Sequence, residues 1–291
     1  MTAPVSIALL ADDYGIAPGV SRGIRELLQA GRLSGTSCLV VSPHWKGEAP
    51  ALRGLDAWAD IGLHLAFTDF APLGAMPGLA PGGRLPGLGK LIASAYLGRL
   101  RAEEIGQEID RQLDAFEQAM GRPPDYIDGH QHVQQLPVVR ELLIDRLKHR
   151  LPPGTALRVC HEPFAAIRRR GVAVMRAAVI AAIGRGLRAM ADDNDIASNR
   201  RFAGVRDFTE RAPYRDLFRR YIADPPHGLA TMCHPGYPDD ALRQVDPVVD
   251  TRPGELAYLA GTEFSEDLAT AGATLSRFTL LAAPRTSSEP G

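Results

Sequence analysis

The chain has 291 residues, with 33 Lys and Arg against 34 Asp and Glu, eight His and three Cys. That length allows a core large enough to need no disulfides, and a net charge of -1 argues against a nucleic-acid partner. The cysteines lie far apart without a C-x-x-C spacing, and the N-terminus has no signal-peptide pattern, so we expect no thiolate zinc cluster and a cytoplasmic protein.

Short apolar runs alternate with longer stretches of helical periodicity, which indicates βα units around a parallel sheet. The expected strands are residues 6–11, 36–41, 60–67, 126–133, 156–160, 202–205, 228–233 and 274–281. The expected helices are residues 19–30, 102–120, 138–149, 167–190, 213–222 and 255–269, and the Gly- and Pro-rich residues 72–89 are expected to form a long loop. We therefore predict an α/β fold with a single domain over residues 1–283 and a disordered tail over residues 284–291.

The first two candidate site segments belong to the first and third predicted strands. The first strand ends in Asp12 and Asp13, and Gly15 then allows a sharp turn. Adjacent carboxylates stay ionised together only beside a cation, so this pair indicates either a metal site or an ordinary turn or helix cap. His64 lies inside an apolar strand, where a histidine is more often a satisfied core residue than a ligand, and Gly62 permits close approach to the backbone.

The strongest signal is the segment YIDGHQHVQ at residues 126–134. Side chains alternate along a strand, so Asp128, His130 and His132 are expected to share one face. Three titratable groups on one strand face have no ordinary core explanation, and a carboxylate beside imidazoles is typical of a metal-binding histidine and its orienting partner. The segment therefore indicates a metal site.

Two further polar residues end predicted strands. His234 follows the strand at 228–233, and Arg158 lies near the end of the strand at 156–160, where it would clamp a carboxylate or an oxyanion. Sheets of this class carry their sites at the C-terminal ends of parallel strands, so the polar groups should meet there. One Asp with two His is a common catalytic metal set, and both Zn²⁺ and Mg²⁺ suit such ligands.

The motifs ADDYG, GLHL, DGHQHVQ and MCHPGY, in this order over residues 6–281, resemble those of the YdjC-like carbohydrate deacetylases. That family includes chitooligosaccharide deacetylases and hopanoid-biosynthesis-associated members. The resemblance implies a distorted β/α-barrel-like fold similar to polysaccharide deacetylases, with the site at the C-terminal ends of the strands. It also implies one divalent metal ion and removal of N-acetyl groups from an amino-sugar substrate, either an oligosaccharide or a glycolipid.

The same resemblance implies roles for individual residues. Asp13 and His64 correspond to metal ligands, and His130 is our preferred third ligand, with His132 as the alternative. The family strand often continues to a further His, where this chain has Gln134. We expect this difference to affect substrate binding or the support of the ligands, and to leave the ligand set intact.

The catalytic roles follow in the same way. Asp12 corresponds to the general base, and His234 to the general acid or oxyanion stabiliser. From its position near a strand end, and not from the resemblance, Arg158 is expected to help the metal ion hold the oxyanion.

Two other functions remain open at this stage. The same ligands would serve a metal-dependent hydrolase of a phosphoester or cyclic amide, and the fold would also serve a non-catalytic sugar-binding protein. A homodimer is one expectation for the assembly. Residues 167–190 carry arginines among apolar residues, which fits either a solvated helix or contact with an anionic membrane, and the latter suits a lipid-linked sugar. Those arginines are Arg168, Arg169, Arg170, Arg176, Arg185 and Arg188.

Overall fold

A computed structural model of the chain describes residues 4–209 and 212–282. The tail predicted to be disordered at residues 284–291 lies outside the described residues. The described strands are β1 (Val5–Tyr14), β2 (Gly35–Cys38), β3 (Asp60–Leu65), β4 (Tyr126–Gly129), β5 (Ala156–Leu157), β6 (Arg201–Ala203), β7 (Leu229–Cys233) and β8 (Ala273–Leu275).

These strands form one parallel sheet in the order β5-β4-β3-β2-β1-β7-β6, with β8 paired to the beginning of β1. The sheet curls into an incomplete barrel. A parallel bridge between Leu157 and Ser198 links β5 to the segment that leads into β6, so the two edges of the sheet approach each other. The predicted α/β, barrel-like fold is therefore confirmed.

Helices cover the outer face of this sheet, and the last one described instead packs into the N-terminal end of the barrel. They are α1 (Pro18–Gln29), α2 (Trp45–Glu48), α3 (Leu88–Tyr96), α4 (Ala102–Met120), α5 (Val139–His149), α6 (Phe164–Arg170), α7 (Val174–Asp193), α8 (Tyr214–Tyr221), α9 (Asp240–Val245), α10 (Arg252–Ala260), α11 (Thr262–Thr270) and α12 (Phe278–Ala282). Short 3₁₀ turns occupy Ala49–Leu52, Leu55–Ala57 and His130–Gln135. No helix in the described part of the chain is long and apolar enough to cross a bilayer.

The main hydrophobic core lies between the outer face of the sheet and the helices. Ile7 and Leu9 of β1 belong to the same buried cluster as Ile105 and Leu113 of α4. The amphipathic pattern at residues 102–120 predicted this helix with its observed bounds, because its apolar positions recur at helical spacing.

A second, smaller apolar cluster fills the inside of the barrel near the N-terminal ends of the strands. It consists of Ala8, Leu10, Tyr126, Ala156, Ala197, Ala230, Phe278 and Ala282. Strand side chains alternate, so the residues two positions further along the same faces of β1, β4 and β5 are Asp12, Asp128 and Arg158. The alternation therefore places charged groups directly above an apolar floor.

The C-terminal segment closes the barrel from below. Asp60 accepts hydrogen bonds from Arg277 Nε (2.7 Å) and from the Thr279 backbone N–H (2.8 Å), and the Phe278 ring packs edge-on against Tyr126. The strand predicted at residues 274–281 is therefore wrong beyond Leu275, because the chain turns there to place Phe278 inside the barrel.

Two predicted helices are each divided in the structure. The helix predicted at 167–190 is two helices, because Gly171 adopts a left-handed conformation (φ 64°) that ends α6 before α7 begins. The helix predicted at 255–269 is likewise interrupted at Gly261, which has an extended backbone between α10 and α11. The arginine-rich segment is therefore not one continuous amphipathic helix.

Gly62 on β3 lets Tyr126 cross the inside of the barrel, since a Cβ at this position would lie 2.6 Å from the Tyr126 ring. We expect Gly62→Ala to lower the free energy of unfolding by about 1–3 kcal/mol, because both groups are fixed in strands and cannot separate cheaply. Urea denaturation of both proteins measures this. Gly82→Ala, with no atom within 4 Å of the added Cβ, is the control, and equal losses in the two variants would contradict the steric explanation.

Candidate metal and catalytic site

The C-terminal ends of the strands surround one cavity of about 520 Å³. The predicted site residues on its lining are Asp12, Asp13, His64, His130, His132 and His234. Arg158 is fully buried beside Asp12 and is not on the cavity lining. These residues lie together at one end of the sheet, as the sequence predicts.

A distortion in β1 lets two consecutive carboxylates reach the same cavity. Neighbouring side chains in a regular strand face opposite ways. The pairing of β1 with β2 shifts register between Ala11 and Tyr14, and Asp13 adopts a left-handed backbone with φ 70°. Aspartate tolerates this conformation better than most residues, so the irregularity turns Asp13 towards the cavity that Asp12 also lines.

Three buried donor atoms are arranged as ligands of a single metal ion would be. Asp13 Oδ1 lies 3.4 Å from His64 Nε2 and 3.1 Å from His130 Nδ1. Oxygen and nitrogen ligands bound at about 2.0–2.2 Å to one metal have separations of this size. The residues therefore fit a divalent ion, with the cavity on the open side of the group.

Asp128 orients the histidine of this group. His64 Nδ1 donates to Asp128 Oδ1 at 2.6 Å, which leaves Nε2 directed towards Asp13. Burial by itself disfavours a charged imidazole, but Asp128 and Asp13 outweigh it and raise the pKa of His64 to about 10. A carboxylate behind a ligating imidazole fixes its tautomer and strengthens it as a ligand.

A second group of potential donors, Asp12, His64 and Asp128, already has a cation beside it. Arg158 donates to both Asp12 oxygens, at 2.5 Å and 2.7 Å, and its Nη1 lies 3.1 Å from Asp128 Oδ2. Burial raises the pKa of Asp12, but the Arg158 guanidinium outweighs burial and lowers that pKa to about 2. The group with Asp13 is therefore the better metal site.

The strand predicted at 126–133 is wrong beyond Gly129, so Asp128, His130 and His132 do not share one strand face. The chain leaves the sheet at Gly129, where a Cβ would lie 2.5 Å from Gln134 Oε1. Gln131 and His132 then adopt left-handed backbones with φ of 52° and 63°.

His132 consequently lies apart from the other ligand candidates. Its Nδ1 is 3.4 Å from Cys160 Sγ, and burial lowers the pKa of this imidazole to about 3. Neither donor group found among the described residues includes His132. Gln134 is buried and donates to the Arg158 carbonyl at 3.1 Å, so it supports the backbone next to the site.

Two helical residues complete the surroundings of the site, and sequence reasoning missed both. Arg252 Nη2 donates to Asp13 Oδ2 at 2.7 Å, and Glu255 Oε2 accepts the backbone N–H of His234 at 2.6 Å. Both residues are fully buried at the start of α10. The sequence did not identify them because charged residues at the start of a helix are usually solvated. The one signal for a buried arginine near the site was that the Asp12–Asp13 pair needs cations close to it.

His234 faces the same cavity from the other side of Asp12. Its Nε2 lies 3.9 Å from Asp12 Oδ2, and its ring packs edge-on against Phe208, with the ring centres 5.2 Å apart. Arg206 donates to the second oxygen of Glu255, so the backbone of His234 is held by a buried ion pair.

The chain belongs to the YdjC-like protein family, whose model matches residues 6–270. A chitooligosaccharide deacetylase of Serratia marcescens is 38% identical over 134 residues, which are 46% of this chain and 52% of that protein. One from Escherichia fergusonii is 29% identical over 243 residues, 80% of this chain and 82% of that protein. The chain thus matches about half the length of the first relative and most of the second.

A solved structure has the same fold. It is a protein of Enterococcus faecalis V583 whose description proposes cellobiose-phosphate cleavage, and it superposes with a TM-score of 0.75 and 21% identity. The superposition covers 96% of this chain and all of that one.

Asp128 provides the first test of the metal group. We expect Asp128→Asn to weaken Zn²⁺ binding about 10- to 100-fold, because His64 loses the carboxylate that orients it. Competition with a chromophoric chelator measures this affinity, and circular dichroism monitors folding. Asp193→Asn, at the exposed end of α7, is the matched control, and unchanged zinc affinity in folded Asp128→Asn would contradict the assignment.

Proposed function

We propose that the protein is a metal-dependent carbohydrate N-deacetylase that hydrolyses the acetamide of an amino sugar. The observation that carries this proposal is the ionised Asp12, held by Arg158 at a cavity that also contains the donor atoms of Asp13, His64 and His130. Acetamide hydrolysis needs a base and an electrophile next to each other. The chitooligosaccharide deacetylases among the relatives support the same reaction class.

Asp13, His64 and His130 would hold one divalent ion. When bound, such an ion polarises the acetamide carbonyl and lowers the pKa of its water. The imidazoles favour Zn²⁺, and the carboxylate also suits Mg²⁺. The charge of the site also suits a divalent ion. If the imidazoles are uncharged, four buried or half-buried carboxylates lie beside two guanidiniums. The site then has a net charge of two negative charges, which a divalent ion would balance. These groups are Asp12, Asp13, Asp128 and Asp246 with Arg158 and Arg252.

The chain's own residues move the protons. Asp12, whose pKa Arg158 lowers despite burial, is ionised at working pH and accepts the proton of the attacking water. Arg158 binds both oxygens of Asp12, so we assign it to clamping this carboxylate rather than to contact with the oxyanion. His234 lies on the cavity wall near Asp12 and donates a proton to the departing amine.

The cavity wall favours an amino sugar that carries an apolar group, the glycolipid form of the substrate. Aliphatic side chains dominate the wall, and sugar hydroxyls buried against them would lose hydrogen bonds to water. These side chains are Leu88, Ile92, Leu136, Met175, Val179, Ile180, Ile183, Val205, Met232 and Val248. Some of these apolar residues belong to α7, which therefore contributes to the cavity. Membrane contact, a homodimer and a cytoplasmic location stay predictions.

Asp12 gives the direct test of the reaction. We expect Asp12→Asn to retain zinc while acetate release from N-acetylglucosamine derivatives falls at least about 100-fold, because the water loses its base. Removal of metal with a chelator should abolish acetate release by the wild type, and added divalent ion should restore it. Full turnover in metal-loaded Asp12→Asn would contradict the assigned base. Phosphate release from a phosphoester substrate, with no acetate release from N-acetylglucosamine derivatives, would favour the phosphoester alternative.

The apolar wall predicts substrate preference. Octyl N-acetylglucosaminide should have a KM about 50-fold lower than N,N′-diacetylchitobiose, if about three methylenes are buried at about 0.8 kcal/mol each. Val179→Asn should raise KM for the octyl substrate and leave KM for the disaccharide unchanged. Equal KM values for both substrates in the wild type would contradict the glycolipid preference.

A further inference from the structure

Arg252 is a fully buried arginine at the beginning of α10. Its Nη2 donates to Asp13 Oδ2 and to Asp246 Oδ2, both at 2.7 Å. Its Nε donates to the Val248 carbonyl at 2.7 Å. Carboxylates and carbonyls replace the lost hydration of a buried guanidinium, and these three contacts do so for Nε and Nη2, whereas Nη1 has no hydrogen-bond partner in the described part of the chain.

The contact with Asp13 determines which carboxylate oxygen is available. Arg252 binds Oδ2, and Oδ1 is the atom that lies 3.4 Å from His64 Nε2 and 3.1 Å from His130 Nδ1. Asp13 also has a left-handed backbone, so the peptide alone does not hold its side chain in the orientation typical of a strand. Arg252 therefore fixes the rotation of the carboxylate.

The other contacts of Arg252 reach a different part of the cavity. Asp246, Pro247 and Val248 line the cavity, and Arg252 binds the side chain of the first and the carbonyl of the last. This short segment between α9 and α10 belongs to no helix or strand, and the guanidinium restrains it together with local hydrogen bonds such as that from the Val248 N–H to Asp246 Oδ1. One side chain thus touches both the metal group and the substrate wall.

We propose that Arg252 is a positioning residue that couples the metal ligand Asp13 to the cavity wall at 246–248. Nη2 donates to both carboxylates, and Nε donates to the Val248 carbonyl. The coupling therefore uses two nitrogens of a planar guanidinium, which the single nitrogen of a lysine ammonium does not provide. The proposal deepens the proposed function and rests on it, because it assigns to the same site a link between metal binding and substrate binding.

The test measures two affinities that do not depend on turnover. Zinc affinity is measured by chelator competition, and affinity for octyl glucosaminide, a product-like glycoside, by calorimetry. Arg252→Lys should weaken zinc binding about 10- to 100-fold and also weaken glycoside binding. Asp246→Asn should weaken glycoside binding more than about threefold. The zinc affinity of this variant should stay within about threefold of that of the wild type. Arg185→Lys, on the exposed side of α7, is the control for the charge-conserving change.

The outcomes separate the coupling from the deacetylase proposal. Wild-type affinities for both ligands in folded Arg252→Lys would overturn the role of Arg252 and leave the deacetylase proposal intact. If Arg252→Lys does not fold, Asp246→Asn decides, and unchanged glycoside binding in that variant overturns the coupling. A wild-type protein that binds zinc but releases no acetate would overturn the proposed reaction, while the zinc affinities would still test Arg252.

Discussion

The burial of several carboxylates at one end of the sheet is the constraint on which the site depends. Asp12, Asp13 and Asp128 are almost completely inaccessible to solvent, and ionised groups are stable there only beside positive charge. Arg158 supplies that charge to Asp12 and Asp128, and Arg252 supplies it to Asp13. With uncharged imidazoles, the two arginines do not balance all of the negative charge of these three carboxylates, so the group suits a cation.

The barrel positions Asp12, Asp128 and Arg158 through simple alternation, and the bulge in β1 adds Asp13. The inward positions near the N-terminal ends of the strands hold small or apolar side chains, and those at the C-terminal ends hold charged ones. Phe278 packs against Tyr126 and closes the apolar floor beneath the charged cluster. The polar groups therefore face one cavity, and most of the remaining wall of that cavity is aliphatic.

Sequence patterns predicted the features that depend on local periodicity. The buried runs of β1, β3 and β7 and the amphipathic α4 were visible because burial imposes a regular spacing of apolar residues. The bulge at Asp13 was not predictable, because it depends on pairing with β2. The departure of the chain at Gly129 was not predictable either, because it depends on the tight packing of the following turn, in which Gln134 donates to the distant Arg158 carbonyl. Arg252 was also hidden, since its carboxylate partner Asp13 is 239 residues away in the sequence.

We propose that Asp13, His64 and His130 hold one divalent metal ion, and that Asp12 and His234 lie next to this metal site. Anomalous diffraction at the zinc absorption edge, from crystals grown with zinc, tests it most directly. We expect one strong anomalous peak within coordination distance of Asp13 Oδ1, His64 Nε2 and a ring nitrogen of His130. A fully occupied peak on His132 and Cys160, or no peak at this end of the sheet, would contradict it.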